Sequence, residues 1–452
     1  MPTLNDEDDM SPEQIRTKTL VQRFLQQRDE CYNDIPEVDY DSSNESVNSD
    51  NECAVDERNV QSLPSTSGHD WRKFILIRGK PGTGKTYAVL HSIRQALANE
   101  YRVLCTTPTG MLSSKYNATI TDENFASDTI HSAFRYPVDV NETPQINWDL
   151  ANYDLIVIDE LSMVPSIVFD HILKTLQELH VRPVVVLCGD QQQQQPIATV
   201  HGKIRPTVGV LQNKALHKNS VIVNFINQHR CVDQEFQEIL NVIRYYKPSR
   251  RTLKSLHGNR VLCSSTPSDK ELLAILQNHP DGMILTVSKA ATATINRIAV
   301  QNLFLDTNPC GQVVFDNDDG LQPLYKGMKV IITQNRDKQL HIVNGQSATV
   351  ITMQNQTVFL KLPTENVIAL YPVTSTTDNI RTTCHPFVPA YASTICKVQG
   401  QNLGKIILWL DSPCVPHGSA YVALSRIRQL QDLYFVTQTD PEQYKPIEHY
   451  AQ

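Results

Sequence analysis

The residues best suited to chemistry stand at Gly79–Thr86, where GKPGTGKT matches G-x-x-x-x-G-K-[ST] without a mismatch. Gly82 and Gly84 let the backbone curl around phosphate oxygens that a Cβ would obstruct, and Gly79 and Thr83 complete the loop. Backbone N–H groups and the start of a helix direct partial positive charge toward an anion. Lys85 is expected to reach the β- and γ-phosphates of a nucleotide, and Thr86 to ligate Mg²⁺. Further along, YDLIVIDE (Tyr153–Glu160) ends an apolar run in two carboxylates. Asp159 is expected to hold Mg²⁺ through water, and Glu160 to orient and deprotonate an attacking water. An isolated Asp–Glu pair is more often a solvated surface feature; here LIVI pins it to the end of a buried strand. Such a loop identifies a nucleotide and not a task.

These groups need a scaffold, and the apolar pattern supplies one. KFILIR (Lys73–Arg78), YRVLCTT (Tyr101–Thr107), YDLIVIDE and RPVVVLCGD (Arg182–Asp190) read as buried strands. Helical patterns run from Thr86 to about Leu97 and over Ile167–Leu179. Strands alternating with helices predict an α/β fold with a parallel, doubly wound sheet. The segment Ser113–Asp149 breaks the rhythm and is read as a small insertion. A second alternating block begins at about Val221, with a helix over His229–Tyr246 and a strand at Gly282–Ser288. From Tyr325 to Pro389 come the short runs MKVIIT, QSATVIT, QTVFLKL and NVIALYPV, which read as a small β-barrel. KIILWLD (Lys405–Asp411) and LYFVTQ (Leu433–Gln438) return to buried strands. The expected domains are 71–220, then 221–335 with 390–452, and an inserted β-domain over 336–389.

Residues 1–70 carry 17 acidic against 5 basic side chains, a net of −12, and the remainder is mildly basic. Asp29–Gly68 has too few aliphatics to offset the entropy of ordering, so 1–70 is expected to be a mostly disordered acidic tail. Ser11–Gln27 is the exception: Ile15, Leu20, Val21, Phe24 and Leu25 suggest an amphipathic helix capped by Ser11. The ten cysteines include no C-x-x-C pair, which argues against a zinc site and for free thiols in a reducing compartment. No run of about 18 apolar residues predicts a membrane span. MPTLNDEDDM lacks the basic and apolar regions of a signal peptide, so the expected site of action is inside the cell.

The order of the remaining motifs resembles the Pif/RecD-type helicases of superfamily one over most of residues 73–438. TTPTGMLS (Thr106–Ser113) looks like A-P-T-G-x-A-A, and TIHSAF (Thr129–Phe134) is similar to T-I-H-S-F. IDELSMV (Ile158–Val164) is close to I-D-E-x-S-M, and GDQQQQQPI (Gly189–Ile197) resembles G-D-x-x-Q-L-P-P-V. TICKVQGQNL (Thr394–Leu403) resembles T-I-H-K-S-Q-G-x-T-L, and YVALSRIR (Tyr421–Arg428) is nearly identical to Y-V-A-L-S-R. The resemblance implies tandem RecA-like domains, with an SH3-like barrel following NRDKQLHIVNG (Asn335–Gly345) that helps grip single-stranded DNA. It implies that Gln193 senses the γ-phosphate, that Arg230 and Arg426 reach it from the second domain, and that Gly400 lines the nucleotide site. It assigns DNA contacts to Pro108, Thr109, Gly110, Thr129, His131, Thr394 and Lys397. The implied activity is ATP-dependent, 5′-to-3′ movement on single-stranded DNA that unwinds forked duplexes in replication, recombination or repair. A monomer acting in the nucleus, with replication or recombination proteins as partners, is the matching expectation.

Several positions depart from the family pattern. Gln194 and Gln195 stand where relatives have Leu and Pro, Cys396 replaces a His, and Val398 a Ser. Pro165–Arg182 lacks the eukaryotic Pif signature. The one E-Q pair that could supply an adenine-reading glutamine is in Ser11–Gln14; Gln14 either does that or is a solvent-exposed helix residue. Compact size and the acidic segment are similar to a viral or mobile-element helicase, such as the second helicase of some large insect DNA viruses. Two rival functions fit the same P-loop: an accessory protein that remodels complexes without unwinding, and a regulatory subunit of a nuclease complex.

Overall fold

The computed structural model describes residues 10–33 and 72–447, apart from 138, 140, 141, 201, 202, 213, 232, 317–319, 338, 339, 378 and 379. The expected tail therefore lies, from residue 34 to 70, outside the described residues. Residues 10–33 are described: α1 spans Pro12–Asn33, so Asp29–Asn33 form its last turn rather than the start of the acidic stretch. Leu20, Val21, Phe24 and Leu25 are buried among Ile75, Ile77, Val223 and Phe225 of the sheet below, whereas Ile15 is exposed. Burial of these four side chains holds a helix whose own sequence is mostly polar.

The first lobe is one sheet in the order β3-β2-β4-β5-β1-β8, parallel throughout. Its strands are β1 (Phe74–Gly79), β2 (Val103–Thr107), β3 (Phe125–Thr129), β4 (Leu155–Ile158) and β5 (Val184–Gly189). A hairpin of β6 (Ile197–Val200) and β7 (Lys203–Pro206) follows, then β8 (Ser220–Phe225). The helices are α2 (Lys85–Ala98), α3 (Gly110–Thr119), α4 (Ile130–Ala133), α5 (Ser166–Glu178) and α6 (Lys214–Lys218). Both faces are covered, by α1 and α2 on one side and α5 with Phe134, Tyr136 and Leu150 on the other. Double coverage is why the central strands read as unbroken apolar runs.

Three expected boundaries need correction. Residues 113–149 are not an insertion: Ser113–Thr119 complete α3, and Phe125–Thr129 is the edge strand, with Thr107 opposite Thr129. Its sequence, FASDT, hides it because only Ser127 of the five residues is buried, so this edge strand has no need for an apolar run. The second block does not begin at 221, because β8 pairs with β1 along its whole length and belongs to the first sheet. The inserted β-layer begins well before 336, as set out next.

The second lobe contains α7 (Gln234–Tyr245), α8 (Arg250–His257), α9 (Asp269–Asn278), β9 (Met283–Thr286) and α10 (Lys289–Asn302). The chain then leaves it for an antiparallel layer. There β10 (Gly311–Val314) and β11 (Leu321–Leu324) form a hairpin, followed by β12 (Lys329–Ile332), β13 (Ser347–Gln354), β14 (Thr357–Lys361) and β15 (Val367–Leu370). A second hairpin, β16 (Val373–Thr377) with β17 (Ile380–Cys384), precedes β18 (Phe387–Pro389). The main sheet runs β15-β14-β13-β12-β18, so β12 at Lys329–Ile332 is one of its inner strands. β19 (Ala392–Thr394), β20 (Ile406–Trp409), α11 (Ser419–Leu424) and β21 (Leu433–Phe435) complete the second lobe, whose parallel sheet is β19-β9-β20-β21. One apolar cluster runs from α9 and α10 into Val330, Val350, Leu360 and Phe387, welding the antiparallel layer to this lobe.

Candidate active site between the two lobes

The phosphate loop joins β1, which lies between β5 and the edge strand β8, to α2. Gly82 and Gly84 adopt φ of 83° and 85°, a region costly for any residue with a Cβ. Gly79 meets a different constraint: a Cβ there would lie 2.7 Å from both Cβ and the carbonyl oxygen of Phe225 on β8. Thr83 is buried and donates to the Lys80 carbonyl at 2.9 Å, closing the loop on itself. Lys85 Nζ donates to the carbonyls of Gly79 and Lys80 at 2.9 and 2.8 Å, so the cation lies folded into the loop. Thr86 follows in the first turn of α2.

Gln14 is buried, not solvent-exposed, and its Nε2 donates to the Gly84 carbonyl at 3.5 Å. Ser11 N donates to its Oε1 at 2.8 Å, which fixes the carboxamide. The opposite end of α1 is tied down too: Arg28 pairs with Asp154 at 2.9 Å and donates to the Arg182 carbonyl at 3.1 Å. The helix thus carries Gln14 to the loop from an anchor at the far edge of the sheet.

Asp159 and Glu160 follow β4. Asp159 is buried, accepting from Tyr116 Oη at 2.7 Å through Oδ2 and from Glu160 N at 2.8 Å through Oδ1. Glu160 sits at φ 53°, ψ 43°, a left-handed conformation that costs about 1–2 kcal/mol for a non-glycine residue. Burial and the neighbouring Asp159 push its carboxyl above the usual range, against the pull of Lys85 and Arg426. A carboxylate so raised is suited to accept a proton near neutral pH.

The second lobe brings cations to this point. The stretch after β8 crosses onto the phosphate loop: His229 N and Arg230 N donate to the Gly82 carbonyl at 2.8 and 3.3 Å, and Gln228 Nε2 to that of Pro81 at 2.8 Å. Arg230 Nη1 is buried with no hydrogen-bond partner among the described residues. Burial, then Arg426, lowers its guanidinium to about 10, with Glu160 opposing. It lines a cleft of about 250 Å³ together with Lys80, Gln228, Tyr421 and Ser425. An anion placed there would satisfy the orphaned N–H. Arg426 is also buried; it donates to the carbonyls of Val422 (2.9 Å) and Gln401 (3.4 Å) and to Ser425 Oγ (2.7 Å). Burial lowers its pKa, and Glu160 acts against that. Gln193 is buried where the lobes meet, its Oε1 accepting from Gln399 Nε2 across them at 3.0 Å. Gly400 is at φ 75°, and a Cβ on it would lie 3.6 Å from Glu160 Oε1. Gln399, whose neighbour Gly400 was singled out from the sequence, carries the cross-lobe contact that motif matching missed.

Known proteins share this fold. Residues 69–199 match the family described as AAA domain. ATP-dependent DNA helicase PIF6 of Trypanosoma brucei brucei is 24% identical over 427 residues, covering 81% of this chain and 51% of the relative. Human ATP-dependent DNA helicase PIF1 is 24% identical over 377 residues, covering 79% and 57%. The structure of Pif1 helicase from Bacteroides in complex with ADP-AlF3 and ssDNA superposes with a TM-score of 0.60 at 21% identity, over 83% of this chain and 91% of that one. The chain has the fold of the Pif1 helicases. It spans about half the length of the curated relatives it matches.

On this Pif1 fold the residues assigned to DNA stand at strand ends in both lobes. Pro108, Thr109 and Gly110 follow β2; Thr129 ends the adjacent β3 and His131 lies in α4. Thr109 and Thr129 are occupied as helix caps, accepting from Leu112 N and Ser132 N, each at 3.4 Å. His131 Nδ1 is engaged with the Tyr136 carbonyl at 3.1 Å. Thr394 ends β19 in the other lobe, and Lys397 is exposed just beyond it. The antiparallel layer reaches this face as well: His341 Nδ1 lies 2.6 Å from Ser114 Oγ on α3, and a Cβ on Gly110 would collide with Asn335. Among the described residues, no group of three or more His, Cys, Asp or Glu could hold a metal alone. No described helix is long and apolar enough to cross a membrane.

Proposed function

We propose that the protein is an ATP-dependent DNA helicase that moves along single-stranded DNA. The observation that carries this reading is the junction of the two lobes at the phosphate loop: Arg230 N donates to the Gly82 carbonyl while its buried Nη1 has no partner among the described residues, and Gln399 Nε2 of the second lobe donates to Gln193 Oε1 of the first. The phosphate loop binds the triphosphate, and Lys85 turns from its loop carbonyls to the phosphate oxygens. Glu160 orients a water and takes its proton, while Gln193 registers the γ-phosphate. Arg230 and Arg426 neutralise charge on the transferring phosphoryl group, a contribution of about 10³–10⁵ in rate for known arginine fingers. Mg²⁺ fits the residues present: the Thr86 hydroxyl and the Asp159 carboxylate are hard oxygen donors, and the ion would supply charge neutralisation at the phosphates. Gln14 reads the adenine.

Because the fingers lie on the far lobe, hydrolysis is tied to lobe closure, and closure followed by opening ratchets one strand past the other lobe. Pro108, Thr109, Gly110, Thr129, His131, Thr394 and Lys397 line the strand's path, and the antiparallel layer acts as an SH3-like clamp over it. Polarity is 5′-to-3′, and the substrate is a forked duplex opened by a monomer during replication, recombination or repair. A viral or mobile-element origin and action in the nucleus complete the reading; the first rests on the acidic segment, the second on the DNA substrate and that segment.

The test is hydrolysis with and without single-stranded DNA, followed by strand separation on a duplex with a 5′ tail. Strong stimulation abolished by Lys85→Ala, with unwinding, is expected. Hydrolysis without strand separation would make the protein a translocase or remodeller.

A further inference from the structure

An ion pair that takes no part in the chemistry above joins the two lobes. Arg244 lies on α7 of the second lobe, and Asp190 directly follows β5 of the first. Arg244 Nη2 is 2.6 Å from Asp190 Oδ1, and Nη1 donates to Oδ2 at 2.7 Å, a two-pronged contact. The side chains are 5% and 0% exposed, so neither charge is shared with solvent. Tyr421 on α11 joins them: its Oη accepts from Arg244 Nη1 at 2.6 Å and donates to Asp190 Oδ2 at 3.5 Å.

Each partner leads to a γ-phosphate group. Asp190 opens the turn that carries Gln193: its Oδ1 accepts from Gln192 N at 3.1 Å, and its carbonyl from Gln193 N at 3.2 Å. Tyr421 shares α11 with the backbone that holds Arg426, whose Nε donates to the Val422 carbonyl. α7 owes its place to Asp233, which caps it by accepting from Phe236 N at 3.0 Å, and to buried Phe236, Ile239, Leu240 and Ile243. Arg244 is therefore anchored on its own lobe; its guanidinium lies over the rings of Tyr245 and Tyr421, and among the described residues its hydrogen bonds go to Asp190 and Tyr421.

We infer that Arg244 is a positioning residue: by neutralising Asp190 it locks the Gln193 turn and the Arg426 helix into one register, and so makes lobe closure depend on a formed sensor turn. When the lobes part, both charges return to water. When they meet with the turn misplaced, two charges are buried apart, which is strongly unfavourable. The pair thus discriminates against a closed cleft with a misaligned sensor. Burial alone would lower the Arg244 pKa; Asp190 and then Tyr421 outweigh it and leave the guanidinium above its ordinary value.

This inference rests on the reading of the cleft as an ATP hydrolase, and the experiment separates the two. The full chain is compared as wild type, Arg244→Gln, Asp190→Asn and the double variant, with ATP hydrolysis at saturating oligodeoxythymidine, binding of a fluorescent ATP analogue, and thermal unfolding. Each single change is expected to lower kcat about tenfold or more with KM moved less than about threefold. The double variant should do no worse than the poorer single, because no charge is then buried unpaired. Strictly additive losses, or a lower Tm with kcat kept within about twofold, would overturn the inference. Should Arg244→Gln fail to fold, Arg244→Lys keeps the charge but not the fork; a wild-type kcat in that variant overturns the inference, and a reduced kcat with normal analogue binding supports it. If wild type shows no hydrolysis that Lys85→Ala removes, the hydrolase reading falls and this one with it.

Discussion

Gly418 caps α11 where the second lobe touches the Gln193 turn of the first, and Gly418→Ala perturbs that touch with one carbon atom. The added Cβ would stand 2.9 Å from Gln194 N and 3.0 Å from the carbonyl carbon of Gln193, both of them backbone atoms that cannot swing aside. Two costs follow and can be told apart. At φ 77° alanine strains its own backbone by about 1–2 kcal/mol, whether the lobes are together or apart, and that cost appears as a lower Tm. The collision is felt only when the lobes meet. Overpacking of this kind costs about 1–3 kcal/mol, which lowers the population of the closed cleft roughly five- to 150-fold. DNA-stimulated hydrolysis measured against ATP concentration should therefore show kcat reduced over that range. Binding of a fluorescent ATP analogue, which the first lobe's loop holds, should persist. A kcat within about twofold of wild type in a folded Gly418→Ala protein would refute the claim that turnover requires this contact.

Two further predictions concern the first lobe. Glu160 must be ionised to accept a proton, and its pKa is raised, first by burial and then by Asp159. Hydrolysis should thus rise with pH through a value above the ordinary carboxylate range and level off beyond it, as a kcat–pH profile would record. Arg426 acts to lower that pKa, so Arg426→Gln should move the remaining activity's acid limb to higher pH; an unmoved limb would assign it to another group. Gln14→Ala, which removes a hydrogen-bonding side chain at the loop, should raise KM for ATP by roughly two- to tenfold and weaken its preference over GTP. Equal use of the two nucleotides by wild type would contradict the role given to Gln14.

The central strands of both parallel sheets were legible because burial on both faces demands unbroken apolar runs, as in Leu155–Ile158 and Val184–Gly189. Edge strand β3 was not, since Phe125–Thr129 is half-buried and its small polar residues read as a loop. β8 falls at the start of the block expected to form the second lobe yet pairs with β1, because nothing local tells a strand which sheet it will join. The helix near Gln14 was visible in its apolar spacing, while its length and docking depend on the sheet and on Arg28 finding Asp154. Motif spacing pointed to Lys85, Glu160, Arg230 and Arg426, and the fold brings the three cations within electrostatic reach of Glu160. It gave no hint of Arg244, Gln399 or Gly418, whose partners are distant in sequence and whose meaning is a contact between lobes.

The account stands on cations from one lobe completing a reaction begun on the other. Its most direct measurement is the hydrolysis rate of Arg426→Gln at saturating ATP and single-stranded DNA, beside analogue binding by the same protein. A loss of about 10³-fold or more with binding retained is predicted. Hydrolysis at the wild-type rate would contradict it and leave a nucleotide-binding fold whose lobes act separately.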